Sequence, residues 1–383
     1  MTTYVKYFDD SQTGAPSLTG TTGSMIALLD AVLINGFNLK TLDSLTVSNN
    51  VATCTVNAGH NFKAGDGRII TIAGCTGSWT GLNAEQTVLS VVSASQFTFL
   101  APGISNGTAT GTITAKVSPV GWTAPYSGTN LKAYKSSSVS GSGCLLRVDD
   151  TDAYAARVIG CETMTDINTW SAKFPTEAQL AGGLWWLKQY ARTSSVNWLV
   201  VADSQMIHLT LNSTWYPAMY GVFTFGDFVP YSSNDVYKCM ISGDVSYRQV
   251  PCTACGSVYI RNNQEGQYIE RSYTGSGTSV TSSRTWLTTT TGYNTGYAYP
   301  SESGSMALVS PVALLQGTNI FRGNIPGIFY SIQSINGTVA TKTIATDISG
   351  LSGSAVFSVI SCATPVDSTT AYTAMFDLVG PWR

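Results

Sequence analysis

Val47-Ser-Asn-Asn-Val-Ala-Thr-Cys-Thr-Val56 alternates apolar and polar residues, the period-two signature of a strand with one buried face. The texture recurs at Ile69-Ile-Thr-Ile72, Val88-Leu-Ser-Val-Val92, Phe97-Thr-Phe99 and Thr110-Gly-Thr-Ile-Thr114. Gly, Asn and Ser turns separate these runs about every eight to twelve residues. Ala101-Pro102-Gly103 and Asn106-Gly107 are the clearest turns. Residues 45–118 are therefore expected to form a small β-sandwich or barrel module.

On the C-terminal side the pattern continues in a larger β unit, residues 119–383. Cys144-Leu-Leu-Arg-Val148, Ala156-Arg-Val-Ile-Gly160, Asn197-Trp-Leu-Val-Val-Ala202, Met206-Ile-His-Leu-Thr-Leu211 and Gly221-Val-Phe-Thr-Phe225 all read as strands. Thr176-Glu-Ala-Gln179 fits a capping box that opens one short internal helix, stopped by Gly182-Gly183. Residues 272–305 are rich in Thr, Ser, Gly and Tyr with almost no aliphatic core, which predicts a long exposed excursion or an extended hairpin. Beyond it, residues 328–344 around Asn336-Gly337 read as a hairpin. With no linker in between, the C-terminal strands are expected to complete the same fold.

On the N-terminal side, residues 1–44 hold the one long helical run, Met25-Ile-Ala-Leu-Leu-Asp-Ala-Val-Leu-Ile34. Ser24 is its expected cap and Asn35-Gly36 its stop. Met25, Ile26, Leu28, Leu29, Val32 and Leu33 circle nearly the whole helix, which demands burial on more than one face. Either a clamp between domains or subunits, or packing on the chain's own sheet, meets that demand. Fold class is thus mainly β: sandwich or barrel modules with one N-terminal helix and one short internal helix.

Composition narrows the functional classes. Lys+Arg 20 against Asp+Glu 22 leaves a formal net charge of −2, with no basic run, so a general electrostatic nucleic-acid binder is excluded. Charged residues are 11%, against about 25% in an ordinary soluble domain, so hydroxyls, amides and tyrosines carry the surface. Hydrophobic residues at 43% supply enough core to exclude disorder. Residues 25–34, the longest apolar stretch, are interrupted by Asp30 and fall short of the ~20 residues of a membrane helix, so no membrane insertion is expected. Residues 1–10 show no basic segment followed by an apolar one, so the expectation is no signal peptide, cytoplasmic synthesis and reduced thiols.

Candidate chemistry is sparse, and no cofactor or metal is expected. Cys252-Thr-Ala-Cys255, with Cys239 and His208 upstream, lacks the second close pair of a structural zinc site. Zinc, a disulfide formed after release from the cell, and buried thiols all remain open for it. Gly103-Ile-Ser-Asn-Gly107 matches the GxSxG nucleophile pattern, but its flanks are β where that motif needs a strand-turn-helix elbow. His60 lies in a turn, where a structural hydrogen bond is the ordinary role. Asp149-Asp150-Thr-Asp152 lacks calcium-loop spacing and reads as an exposed turn. Glu162, Asp166 and Glu177 are carboxylates that nothing in the sequence brings together. Trp185-Trp186, Tyr190 and Trp198 crowd one stretch, and Tyr293, Tyr297 and Tyr299 decorate the excursion as candidate surface-interaction residues.

Gly14-Ala-Pro-Ser-Leu-Thr-Gly-Thr-Thr-Gly-Ser-Met-Ile-Ala-Leu-Leu-Asp-Ala-Val-Leu-Ile-Asn-Gly-Phe37 resembles the opening of structural proteins of tailed bacteriophages and prophages, roughly PxLxGxxGxxIAxLDAxLVNGF. Gly121-Trp122, Ala156-Arg-Val-Ile-Gly-Cys-Glu-Thr-Met-Thr-Asp166, Phe174-Pro-Thr176, Gly226-Asp227, Arg322-Gly-Asn-Ile-Pro-Gly-Ile328 and Phe376-Asp-Leu-Val-Gly-Pro-Trp-Arg383 resemble the same group in order. Residues 45–117 look like a β-sandwich insert of phage proteins, with a His-x-Phe-x-x-Gly-Asp signature at His60, Phe62, Gly65 and Asp66. The resemblance implies a virion part, tail-associated or decoration-type, made in a bacterial host's cytoplasm.

The expectation is therefore a non-enzymatic structural subunit of the tail, baseplate or neck. It assembles with itself, most simply as a trimer, and with other virion proteins. Met25, Ile26, Leu29, Val32 and Leu33 are the expected attachment residues. A fibre or spike that binds a host surface glycan, and a capsid decoration protein, are the alternatives. A capsule-degrading enzyme ranks behind them.

Overall fold

The computed structural model describes residues 4–189, 193–213, 216–245, 266–285, 308–309, 312–317, 319–331, 340–346, 353–361 and 371–383. Among these the chain is mainly β, in four antiparallel sheets with two short helical segments.

The first sheet has eight strands and curls on itself. Its order is Phe37–Thr41, Thr114–Val117, Ile69–Ala73, Glu85–Ser93, Gln96–Leu100, Val51–Thr55, Ser44–Ser48 and Gly107–Thr108. Glu85–Ser93 turns the corner: its first residues pair with Ile69–Ala73, and the rest pair with Gln96–Leu100 through two irregularities of register. Leu45, Val47, Ala52, Cys54, Ile72, Phe97 and Phe99 fill the inside. Ser48 and Val51 are joined by Asn49 and Asn50, both at positive φ (51° and 61°), the conformation a two-residue hairpin turn requires. The sheet takes in Phe37–Thr41, so the module extends into the segment assigned to residues 1–44.

The rest is a stack of three layers. A central sheet of ten strands runs Lys6–Asp9, Trp198–Ala202, Met206–Ser213, Tyr216–Asp227, Cys239–Ser242, Gln267–Ile269, Val280–Thr285, Val312–Gln316, Ile320–Ile325 and Val229–Pro230. One face, with Trp198, Val200, Ile207, Leu209, Phe223 and Phe225, packs on Leu146, Val148, Ala156, Val158, Phe174 and Trp186 of a six-stranded sheet. That second sheet comprises Thr123–Gly128, Leu131–Lys135, Leu145–Asp149, Ala155–Asp166 and Thr169–Phe174, with Leu184–Leu187 also paired to Ala155–Asp166. The opposite face, with Leu199, Val201, Met206, Val222 and Met240, packs on Ile328, Val356, Ala374 and Phe376. These belong to a five-stranded sheet of Leu308–Val309, Ile328–Ser331, Ala371–Asp377, Ala355–Ser361 and Ile344–Ala345. Cover on both faces explains why every residue of Trp198–Ala202 is apolar and buried, where a one-sided strand would alternate.

Several sequence expectations change here. Ser24–Leu29 is α-helical and Asp30–Asn35 continues it as a π-helix. Met25, Leu29, Val32 and Leu33 are 0% exposed in the main core and partly buried Ile26 packs against it, so these residues pack on sheets of their own chain, one of the two covers the sequence leaves open. The internal helix expected at Thr176 is a single turn. Its capping box does form, with Gln179 Oε1 accepting from Thr176 N (2.8 Å) and Thr176 Oγ1 from Gln179 N (3.2 Å). Gly182 and Gly183, both at positive φ, end the turn before a helix propagates. The second helical segment is instead a 3-10 helix at Gly77–Leu82. Part of the 272–305 excursion, Val280–Thr285, is an inner strand of the central sheet with Ser282 and Ser283 buried. Tyr293, Tyr297 and Tyr299 lie outside the described residues. Ile328–Ser331 and Ile344–Ala345 do not pair as a hairpin, because two strands stand between them.

Candidate functional site

What the sequence offered as candidate chemistry is mostly a set of joints between sheets. Asp150, expected in an exposed turn, is 0% exposed. Its Oδ2 accepts the backbone N–H groups of Met25 (2.8 Å) and Ile26 (3.0 Å), two donors that a helix start leaves free. Its Oδ1 accepts from Lys188 Nζ at 2.5 Å, and that ammonium also donates to the carbonyls of Thr21 (2.8 Å) and Asp152 (2.6 Å). Burial lifts the Asp150 carboxyl above its usual range, against the pull of Lys188 and the two N–H groups. Both oxygens face donors only, which suits the ionised form. Ser24, the expected cap, donates its hydroxyl to Thr19 O and caps nothing.

A second joint holds the C-terminal residues. The Arg383 guanidinium reaches both carboxylate oxygens of buried Asp203 (2.9 and 3.1 Å) and the Asp227 carbonyl (2.8 Å). Trp122 Nε1 donates to Asp203 O at 3.2 Å. Asp227 accepts from Ser142 N (2.7 Å) and Ser142 Oγ (2.6 Å), tying the central sheet to the loop before Leu145–Asp149. Arg322, 2% exposed, donates to both oxygens of Asp235 (2.8 and 3.0 Å) and to the carbonyls of Arg271 and Tyr237. Planar guanidinium forks suit such paired acceptors.

Further joints fix the eight-stranded module. Arg68 Nη2 meets Asp9 Oδ2 at 2.8 Å while its guanidinium lies 3.9 Å over the Tyr7 ring. Burial opposes ionisation of Asp9, but the Arg68 charge and the Ser11 hydrogen bonds hold its carboxyl down at about 2. Buried Lys6 pairs with Glu85 and donates to Ser118 Oγ (3.1 Å). Asp66 accepts from Ser354 Oγ at 2.6 Å, which ties the module to the five-stranded sheet.

Neither histidine is poised for chemistry. His60 is 1% exposed between the rings of Phe62 and Phe97. Its Nδ1 accepts from Phe62 N (2.9 Å), which leaves Nε2 as the donor to Ser93 O (3.0 Å). Buried His208 contacts Thr224 Oγ1 (3.1 Å) and Pro326 O (2.9 Å), beside Phe376 and Trp382. Cys239 is buried in the core, away from His208's partners; Cys252 and Cys255 lie outside the described residues. Among the described residues no His, Cys, Asp and Glu group is arranged to hold a metal. Glu162 is bound by Arg271 (2.5 and 2.7 Å), Asp166 accepts from Asn168 N (2.8 Å), and Glu177 pairs with Lys173, so three separate partners take the three carboxylates. The GxSxG segment passes from strand Gln96–Leu100 to strand Gly107–Thr108 without a helix.

Two surface features remain. On the outer face of the six-stranded sheet, Arg157 stacks over Trp185 (4.0 Å) and Arg147 over Trp170 (4.8 Å). On the eight-stranded sheet, Leu89 (52%), Val91 (42%), Val92 (60%) and Leu100 (58%) are exposed along adjacent strands. The burial of Asp150 left no trace in local sequence, because Lys188 and Met25 are distant along the chain. The Leu89–Val92 run was visible in the sequence, but its alternation read as core.

No protein-family model and no curated protein matches the chain. Among solved structures, the phage phi92 endosialidase matches with 12% identity and a TM-score of 0.18, over 89% of this chain and 52% of that one. The chain thus spans about half of that structure's length, and a TM-score this low establishes neither a shared fold nor a shared function.

Proposed function

We propose that this chain is a non-enzymatic structural subunit of a tailed-bacteriophage virion, in the tail, baseplate or neck, and that it assembles as a symmetric homo-oligomer, most simply a trimer. One observation carries the reading: several of the segments that resemble phage structural proteins contribute side chains to the joints. Trp122, Asp227 and Arg383 tie the central sheet to neighbouring segments, Arg322 braces strands and loops within that sheet, Asp66 ties the small module to the stack, and Phe174 packs against Gly160. A chain whose sheets are tied by such joints suits a rigid building block. The experiment is to separate purified virions into heads and tails and count this protein against the major capsid protein by quantitative mass spectrometry. A few copies travelling with tails support the proposal; tens to hundreds on heads would make it a decoration protein.

We assign contacts between copies to Leu89, Val91, Val92 and Leu100, which are exposed. A net charge of −2 raises little repulsion between identical chains, and these side chains expose apolar area on two neighbouring strands. The occupant is a second copy of the chain. Leu89→Asp combined with Val91→Asp should lower the oligomeric mass in light scattering; an unchanged mass would remove this surface from the proposal. A second reading, a glycan-binding fibre or spike, draws on the Arg157–Trp185 and Arg147–Trp170 stacks, since aromatic faces beside arginine suit a sugar platform. Reproducible binding on a glycan array, abolished by Trp185→Ala, would favour it.

A further inference from the structure

The seam between the six-stranded and central sheets holds two thiols that no joint described above uses. Cys144 immediately precedes the strand Leu145–Asp149, and Cys239 opens the strand Cys239–Ser242. They are 4% and 1% exposed and belong to one core cluster. A third group completes the cluster. Glu270 Oε2 accepts from Cys144 Sγ at 2.9 Å, and Oε1 accepts from Cys239 N at 2.9 Å.

Strand alternation decides which cysteine Cys144 meets. Leu145 pairs with Cys161, and both belong to the separate cluster on the outer face of the six-stranded sheet. Cys144, one residue earlier, turns to the inner face, where the central sheet brings Cys239. Cys161 is a near neighbour in the sheet and still on the wrong side.

We propose that Cys144 and Cys239 form a redox-sensitive pair that closes into a disulfide between the two sheets when the protein meets a small-molecule disulfide oxidant. Cys144 is the entry sulfur, since it adjoins the loop 136–143, whose Val139 is fully exposed. Glu270 takes the Cys144 proton, and the thiolate attacks one sulfur of the oxidant, forming a mixed disulfide and releasing a thiolate. That thiolate takes the proton of Cys239, whose sulfur then attacks the Cys144 sulfur and expels the second thiolate. The second thiolate recovers the proton from Glu270. Two electrons pass from the cysteine pair to the oxidant, which leaves as two thiols. Burial pushes Cys239 well above the ordinary thiol range, and it lifts Glu270 to about 7, where a carboxylate shares a proton near neutrality.

The test incubates the full chain with oxidised glutathione, blocks free thiols by alkylation and maps the linked peptides by mass spectrometry. The expected result is a Cys144–Cys239 linked peptide and an intact mass lower by two hydrogens. Tm should rise by about 5 °C, reversibly with dithiothreitol. Cys161→Ser should leave the link in place and Cys239→Ser should abolish it. Glu270→Gln should slow its formation about tenfold without changing the end point. Recovery of both cysteines as free thiols, a stalled glutathione adduct on Cys144, or a link from either cysteine to another partner would overturn the proposal. The peptide map of the unmodified sequence decides between these outcomes even where a variant fails to fold.

Discussion

Asp150, just after a strand of the six-stranded sheet, and Glu270, just after a strand of the central sheet, are both buried acids, and the chain treats them in opposite ways. Asp150 is given a cation and a helix start: Lys188 on one oxygen, two backbone N–H groups on the other. Glu270 is given a thiol and one backbone N–H, both modest donors, and the charge of Asp227 stands nearby. Glu270 therefore titrates near neutrality, while Asp150 is tied to the helix and Lys188 together. A paired buried charge makes a lock, and an unpaired buried acid makes a sensor.

The largest effect should come from opening the lock. Lys188→Met leaves the Asp150 carboxylate buried without its cation, which should cost about 4 kcal/mol in urea unfolding. A cost under about 1 kcal/mol would mean that the helix N–H groups alone satisfy Asp150. Removal of residues 1–44 should likewise yield an unfolded chain in circular dichroism, because Met25, Leu29, Val32 and Leu33 would leave a void in the main core.

Next comes the sensor. A Glu270 carboxyl at about 7 when folded and 4.5 when unfolded binds its proton more tightly in the native state. Its contribution is fully present below pH 4.5 and lost as pH rises through 7, a fall of about 3 kcal/mol. Glu270→Gln should flatten that slope in denaturation curves across the window; an unaltered slope would assign the titration elsewhere. Asp9 runs the other way and sharpens the contrast. Held at about 2 against an ordinary 3.8, it supports the fold above pH 3.8 and loses that support as pH falls through 2. The loss is about 2 kcal/mol, and Asp9→Asn should remove it from an acid titration. The smallest effect belongs to the exposed row: Leu89→Asp alone should change the chain's stability by no more than about 0.5 kcal/mol.

The strands were legible because a period of two is local. Ser44–Ser48 and Val51–Thr55 have the alternating burial that the sequence implies, and the C-terminal strands do complete the stack. The helix is legible too, and its all-round apolar surface demands cover on several sides; the choice between the chain's own sheets and a second subunit is not legible in it. Long-range pairs were not legible. Asp149-Asp150-Thr-Asp152 has the composition of a solvated turn, and nothing within it marks Asp150 as the residue that meets Lys188 and the helix start. Thr176–Gln179 shows the converse: a local signal formed as expected, and two glycines then denied it the length of a helix.

The helix cap carries a consequence for the order of events during synthesis. Met25 and its cap Asp150 stand 125 positions apart. At about 5–20 residues per second, the helix would wait on the order of ten seconds on a translating ribosome before Asp150 emerges, and longer for Lys188. Throughout that interval Met25, Leu28, Leu29, Val32 and Leu33 lack the cover of the completed six-stranded and central sheets. The nascent chain thus carries an incompletely covered apolar helix until Asp150 and Lys188 have emerged.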